Sequence, residues 1–221
     1  MAETFFRKTA DTTSFERVVI SQPQRGYRFT SDVVALAGFI RINPCESLLD
    51  FGTGVGVIPL LVWQRNPFRF ALGIELQNEL ADLAKENVRA NALEKRIFIL
   101  QGDLRALTPE NVCFPVHPFY ETKFDVISAN PPYLVLGQGR INPNFQKALA
   151  RHEIQLTFPE LVMACQRFLK PAGRFYFVHL AERETYLTAT LKAHNFTVRN
   201  KQTFDGTRRK ALLFVEATAT G

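Results

Sequence analysis

Ser47-Leu48-Leu49-Asp50-Phe51-Gly52-Thr53-Gly54-Val55-Gly56 is the stretch on which the fold of this chain turns. Ser47 to Phe51 reads as a buried strand, and the glycines at 52, 54 and 56 read as a sharp turn. A helix is predicted to follow from Gly56 to Gln64, with Pro59 tolerable only in its first turn. A glycine-rich turn between strand and helix lets a ligand lie against bare amides at a helix N-terminus. A dinucleotide fingerprint, G-x-G-x-x-G, would place a third glycine six positions into the motif. Counting from Gly52, that position is Val57, so the dinucleotide reading fails.

The pattern downstream keeps alternating. Phe70 to Glu75 reads as a second strand, and Asn78 to Ala92 as a helix with Leu80, Leu83, Ala84, Val88 and Ala92 at a 3.6-residue period. Arg96 to Leu100 and Phe124 to Ala129 are the next strands. A helix from Glu160 to Leu169 is closed by Lys170-Pro171-Ala172-Gly173. Arg174 to His179 is a strand, Glu182 to His194 a helix, and Phe196 to Thr203 and Ala211 to Glu216 the last two strands. This order predicts a doubly wound, Rossmann-like α/β sheet. The short connection Asp205 to Lys210 makes the last pair a hairpin, so the sheet is mostly parallel with one antiparallel strand near the C-terminus. Upstream, Val18-Val19-Ile20 and Gln22 to Phe29 suggest a short strand pair. Thr30-Ser31-Asp32 caps a helix from Val33 to Ile42 that stops before Pro44. Residues 1–43 are thus an N-terminal extension packing on a domain spanning 44–221.

Candidate site residues gather at the carboxyl ends of successive strands, where α/β sheets bind ligands. They are Asp50, Gly52, Thr53, Gly54 and Gly56 in the first turn, Glu75 with Leu76 after the second strand, and Asp103 with Leu104 after the third. Asn130-Pro131-Pro132-Tyr133 follows the fourth. Glu75 is 21 residues past Gly54, placed to accept ribose hydroxyls, and Asp103 is placed to meet an adenine amino group. In the fourth motif two prolines stiffen the backbone and remove two donors. The Asn130 amide oxygen and the Pro131 carbonyl can accept both N–H bonds of a planar amine while the Tyr133 ring covers its π face. Singly, each feature also fits a plain turn, cap or surface charge; together they define a site. The G-x-G-x-G form led by Asp50 is similar to the turn of S-adenosylmethionine-binding domains, making S-adenosyl-L-methionine the expected cofactor.

Composition narrows the class. A chain of 221 residues that is 46% hydrophobic with 20 Phe supports one folded core. No window approaches the roughly 18 apolar residues of a membrane helix, and the N-terminus lacks a basic start followed by an apolar run. Cys45, Cys113 and Cys165 are scattered and the four His lack ligand spacing, so reduced thiols, a cytoplasmic location and no metal are expected. The net charge of +6 is uneven. Residues 138–174 hold 6 Lys/Arg against 2 Asp/Glu and residues 194–221 hold 5 against 2, whereas residues 43–137 hold 8 against 11. That distribution suits a polyanion. Arg25, Arg28, Arg140, Lys147, Arg151, Arg208, Arg209 and Lys210 are the candidate phosphate contacts.

Asp50-x-Gly-x-Gly-x-Gly, Glu75, Asp103 and Asn130-Pro-Pro-Tyr resemble the motif series of class I amino-methyltransferases. More narrowly, three blocks resemble the bacterial tRNA1(Val) adenine-N6-methyltransferase family. They are Gly26-Tyr27-Arg28-Phe29-Thr30-Ser31-Asp32-Val33-Val34-Ala35-Leu36, Ala150-Arg151-His152-Glu153, and Arg209-Lys210-Ala211-Leu212-Leu213-Phe214-Val215-Glu216-Ala217. The resemblance covers nearly the whole chain. It implies methyl transfer to the N6 amine of an adenosine in tRNA, in the anticodon region, by a monomer with no membrane partner. Asn130, Pro131, Pro132 and Tyr133 would be its catalytic residues, and Asn130 would also border the cofactor. Related chemistries with the same loop are rRNA guanine-N2 transfer and methylation of a glutamine side-chain amide of a translation factor. Family members continue past the position of Glu216-Ala217, so a different grip on the anticodon arm is expected where this sequence ends.

Overall fold

Ser47–Phe51 (β3) is buried along its whole length, as a strand covered on both faces must be. It pairs in parallel with Phe70–Glu75 (β4) on one side and Phe124–Ala129 (β6) on the other. These strands belong to a computed structural model that describes residues 9–10, 18–23, 28–109, 112, 122–131, 156–205 and 211–220. Before them lie the two-residue strands Thr9–Ala10 (β1) and Ser21–Gln22 (β2), and the helix Ser31–Phe39 (α1). Val57–Arg65 (α2), Asn78–Ala90 (α3) and Ile97–Gln101 (β5) complete the first half. The second half adds Phe158–Phe168 (α4), Leu169–Leu180 (β7), a 3-10 turn at Ala181–Arg183, Glu184–Ala193 (α5), Phe196–Asp205 (β8) and Ala211–Ala219 (β9).

The seven-stranded sheet has the order β5-β4-β3-β6-β7-β9-β8. Only β9 runs against the rest, antiparallel to β7 and to β8. The architecture is the doubly wound, mostly parallel sheet expected, with its one reversed strand in the C-terminal hairpin. The strand order reverses between β3 and β6, so a crevice opens at their carboxyl ends. One face of the sheet packs under α1, α2 and α3 through Leu36, Leu48, Leu60, Val126 and Tyr176. The other packs under α4 and α5 through Leu49, Ile127, Phe168, Phe177 and Leu187.

Several boundaries differ from the sequence reading. No strand forms at Val18–Ile20; Ser21–Gln22 pairs instead with Thr9–Ala10. The helix α1 ends at Phe39 rather than Ile42, with the Ile40 amide closing on the Leu36 carbonyl. Ala92 lies outside α3, at φ 55, where a helix cannot continue. Lys170-Pro171-Ala172-Gly173 is not a terminating loop, because β7 begins at Leu169. Its register with β6 skips from Leu169 to Arg174, absorbing those four residues with Ala172 at φ 59. Glu182 and Arg183 belong to the 3-10 turn before α5.

Candidate active site

In β3 the Asp50 side chain is fully buried, and its register partners are Gly73 on β4 and Ser128 on β6. The Ser128 hydroxyl donates to Asp50 Oδ1 at 2.7 Å, and the Thr53 hydroxyl acts on the same carboxyl. Burial raises the Asp50 carboxyl from 3.8 to about 7, partly opposed by the Ser128 and Thr53 bonds. Asp50 therefore lies beneath the glycine turn and ties β3 to β6. Gly73 is what lets the turn sit there: a Cβ at that position would come within 2.8 Å of Thr53 Oγ1 and Cγ2.

The turn itself holds Gly52, Gly54 and Gly56 at φ 67, 58 and 82, which side chains rarely adopt. Four of its amides, expected as bare donors, are already bonded within the protein. Gly52 and Thr53 donate to the Ile74 carbonyl at 2.9 and 3.0 Å, Gly56 donates to the Thr53 carbonyl at 2.9 Å, and Gly54 donates to Glu75 Oε2 at 2.9 Å. What the turn offers a ligand is space, since no atom lies within 4 Å of where a Gly52 Cβ would point. The Thr53 hydroxyl is buried and acts on the Asp50 carboxyl.

Glu75, at the end of β4, is 6% exposed. Its Oε1 accepts from the Gln77 amide at 2.9 Å, so the carboxylate clamps two backbone segments. Burial raises its pKa, opposed by those bonds. Leu76 beside it is 37% exposed. After β5, Asp103 is gripped by Arg105, whose Nε and Nη2 donate to its two oxygens at 3.0 and 2.5 Å. The Arg105 bond holds the Asp103 carboxyl below its ordinary value. Leu104 faces inward and joins the core.

The acceptor motif begins on the neighbouring strand. Phe51 on β3 and Ala129 on β6 are register partners, so Gly52 and Asn130 leave the sheet side by side, one strand spacing of roughly 4.8 Å apart. Asn130 and Pro131 are half-buried. Arg28 is exposed and donates to the Pro23 carbonyl at 3.5 Å. Pro132, Tyr133, Arg25, Arg140, Lys147, Arg151, Arg208, Arg209 and Lys210 lie outside the described residues.

Sequence reasoning passed over four residues here: Ser128, Gly73, Arg105 and Asn87. Asn87 is buried on α3, and its amide donates to the carbonyls of Val55 in the turn and Ser21 in β2, both at 2.9 Å. Its signal was present: a polar side chain falls on the apolar face marked by Leu80, Leu83 and Val88. Arg105 lies two residues from Asp103, within reach of a local reading; Ser128 and Gly73 had no signal, because cross-strand register is not written in local spacing.

A doubly wound sheet with a glycine turn at its switch point, an acidic residue after the next strand and Asn-Pro-Pro after the fourth defines a Rossmann-like transferase class. The sequence profile of the family described as methyltransferase small domain matches residues 35–204. The chain belongs to that family. It is 27% identical over 199 residues to the tRNA1(Val) (adenine(37)-N6)-methyltransferase of Tolumonas auensis, covering 90% of this chain and 78% of that one. With the protein of the same name from Porphyromonas gingivalis it shares 31% identity over 177 residues, 78% of this chain and 66% of the relative. Among solved structures, TrmN from Thermus thermophilus superposes with a TM-score of 0.60 at 24% identity, over 84% of this chain and 48% of that chain. Among the described residues no helix is long and apolar enough to cross a membrane.

Proposed function

We propose that this chain is an S-adenosyl-L-methionine-dependent methyltransferase acting on the exocyclic N6 amine of an adenosine in the anticodon region of tRNA. The observation that carries this reading is the pairing of Phe51 with Ala129, which sets the glycine turn and Asn130-Pro131 side by side at the switch point. The names of the two bacterial relatives support the choice of substrate. The chain acts as a monomer in the cytoplasm.

The residues fit the cofactor. The open space over Gly52 admits an extended ligand, and the Thr53 hydroxyl gives it a buried polar contact. Each Glu75 oxygen makes one backbone bond and keeps a lone pair for a ribose hydroxyl. Asp103 accepts from the adenine amine at the outer end, between Leu76 and the turn that begins at Leu104. When bound, the cofactor supplies a sulfonium-activated methyl group, so the protein needs no covalent nucleophile.

The protein's own task is alignment. The Asn130 amide oxygen and the Pro131 carbonyl accept the two N–H bonds of the substrate amine, turning its lone pair toward the glycine turn. Their dipoles face the positive charge that develops on nitrogen. Pro132 stiffens the elbow and Tyr133 stacks on the base, with about 1–3 kcal/mol as the usual scale. Such positioning can contribute several kcal/mol to the barrier. Arg25, Arg28, Arg140, Lys147, Arg151, Arg208, Arg209 and Lys210 hold phosphates.

The test is transfer of a radiolabelled methyl group to total tRNA and total rRNA, followed by mass spectrometry of the nucleosides. N6-methyladenosine in tRNA is the expected product; N2-methylguanosine in rRNA would overturn the assignment. Asn130→Ala is expected to keep S-adenosylhomocysteine binding by calorimetry and to lose at least about 100-fold in turnover. Retained turnover would remove Asn130 from the reaction.

A further inference from the structure

Among the described residues the strand β8 closes the sheet and pairs only with β9. Because β9 is antiparallel to both β7 and β8, β8 runs with the core strands and points its C-terminal end at the site edge. Three strand spacings separate it from β6, roughly 14 Å. Its register with β9 slips at Arg199: Val198 faces Ala217, Asn200 faces Glu216, and Arg199 faces no partner. That extra residue has a geometric result. In a regular strand Val198 and Lys201 would point to opposite faces. The bulge puts both on the α5 face, where Val198 packs against the core and Lys201 reaches Glu184.

The same bulge opens a groove of about 470 Å³ between α5 and the strand, lined by Thr188, Val198, Arg199, Asn200 and Lys201. Apart from Val198, its lining residues Thr188, Arg199 and Lys201 bring a hydroxyl, a guanidinium and an ammonium, while Asn200, paired with Glu216, takes part from the strand itself. Among the described residues Arg199 has no ion-pair partner, and Lys201 is bound by Glu184 at 2.5 Å. Donors of this kind in a row suit phosphate oxygens. A second copy of the chain fits poorly, since antiparallel pairing of two β8 edges about Asn200 would set Arg199 against Lys201.

We infer that this groove is a docking track for the phosphate backbone of the RNA substrate, outside the site where the base reacts. It rests on the function proposed above. The RNA enters with its target base over β6, and the backbone flanking that base runs along β8. Glu184 tempers the track by neutralising Lys201.

The experiment compares wild type with Arg199→Glu/Lys201→Glu, both at exposed positions, and with Glu184→Gln at a half-buried one. Three readings are taken: KM for tRNA, the dependence of tRNA affinity on salt, and S-adenosylhomocysteine binding. The double variant is expected to raise KM at least about tenfold. Its log–log salt slope should become shallower by roughly 1.4 to 1.8, at about 0.7 to 0.9 for each lost phosphate contact. Cofactor binding should stay unchanged, which also reports that the variant is folded. Glu184→Gln should tighten tRNA binding about twofold or more. Unchanged KM and slope in the double variant, with an active wild type, would overturn the track alone. A wild-type dimer that the double variant dissociates in sedimentation would also overturn it, assigning the edge to a second copy. A wild type that binds S-adenosylhomocysteine yet methylates no RNA would instead defeat the proposed function, and the track with it.

Discussion

Asp50 titrates in a place that its motif does not reveal. With the folded carboxyl raised to about 7 from 3.8, the folded chain keeps a proton that the unfolded chain has released between those values. Stability from this group is therefore greatest below about pH 4, falls as pH rises to about 7, and levels off above. The full span is on the order of 4 kcal/mol. Asp50→Asn is expected to flatten the decline in melting temperature between pH 5 and pH 8, measured by calorimetry. Equal slopes in variant and wild type would show that Asp50 is not the titrating group. Glu75, also raised by burial, leaves a residual slope of the same sign. Gly73→Ala makes a steric test at the same scale. Its new methyl would press on Thr53 at 2.8 Å, so a stability loss of about 1–3 kcal/mol and at least tenfold weaker cofactor binding are expected. An unchanged cofactor affinity would dismiss Thr53 as part of the cradle. The spacing Asp50-x-Gly-x-Gly-x-Gly made the turn legible, but neither the depth of Asp50 nor the role of Gly73. Depth depends on which strands flank β3, and spacing along the chain does not state that.

At the scale of elements, the best-read pieces carry their own punctuation. Phe70–Glu75 and Phe124–Ala129 match the sequence reading end to end, being short apolar runs. The α4 helix opens with a capping box that was not used: Thr157 and Glu160 exchange side-chain to backbone bonds, with Pro159 in the first turn. Thr157→Ala is expected to cost about 1 kcal/mol in chemical denaturation, and no loss would mean that the helix end is fixed by packing alone. Its other end departs from the sequence expectation because Lys170-Pro171-Ala172-Gly173 has the composition of a stop. In the fold, Leu169 pairs with Phe124 on β6, with Lys170 Nζ meeting Asp125 Oδ2 at 2.9 Å, so the chain passes directly into β7. A contact across 45 residues outweighed the local signal. Ser128→Ala tests the bond between β3 and β6. It removes the 2.7 Å donor to Asp50 Oδ1 in a fully buried setting, at a cost of about 1–3 kcal/mol read by chemical denaturation.

At the scale of the molecule, two apolar layers cover the sheet, and α1 belongs to one of them. Leu36 is fully buried among Ile40, Leu60, Tyr176 and their neighbours, although it lies ahead of the main alternation. If residues 1–43 pack on the domain as an extension of its core, Leu36→Ala lowers stability by about 2–5 kcal/mol in a single unfolding transition. A separate early transition, with the main one unmoved, would make α1 an independent attachment. Asp125 gathers the opposite edge of the sheet, receiving the Ser47 amide and hydroxyl at 2.9 and 2.8 Å as well as Lys170.

By itself the sequence determined the alternation of strands and helices, the reversed C-terminal hairpin, and the glycine turn, Glu75, Asp103 and Asn130 at strand ends. Each of these is local, set by apolar periodicity, by glycine's freedom at positive φ, or by proline's missing donor. Tertiary structure alone decided that β6 lies beside β3, that Ser128 and Gly73 flank Asp50, that four of the turn's amides are occupied, and that a bulge at Arg199 builds a donor-lined groove. These follow from pairing between strands far apart in the chain, where register is settled by the packing of both sheet faces at once.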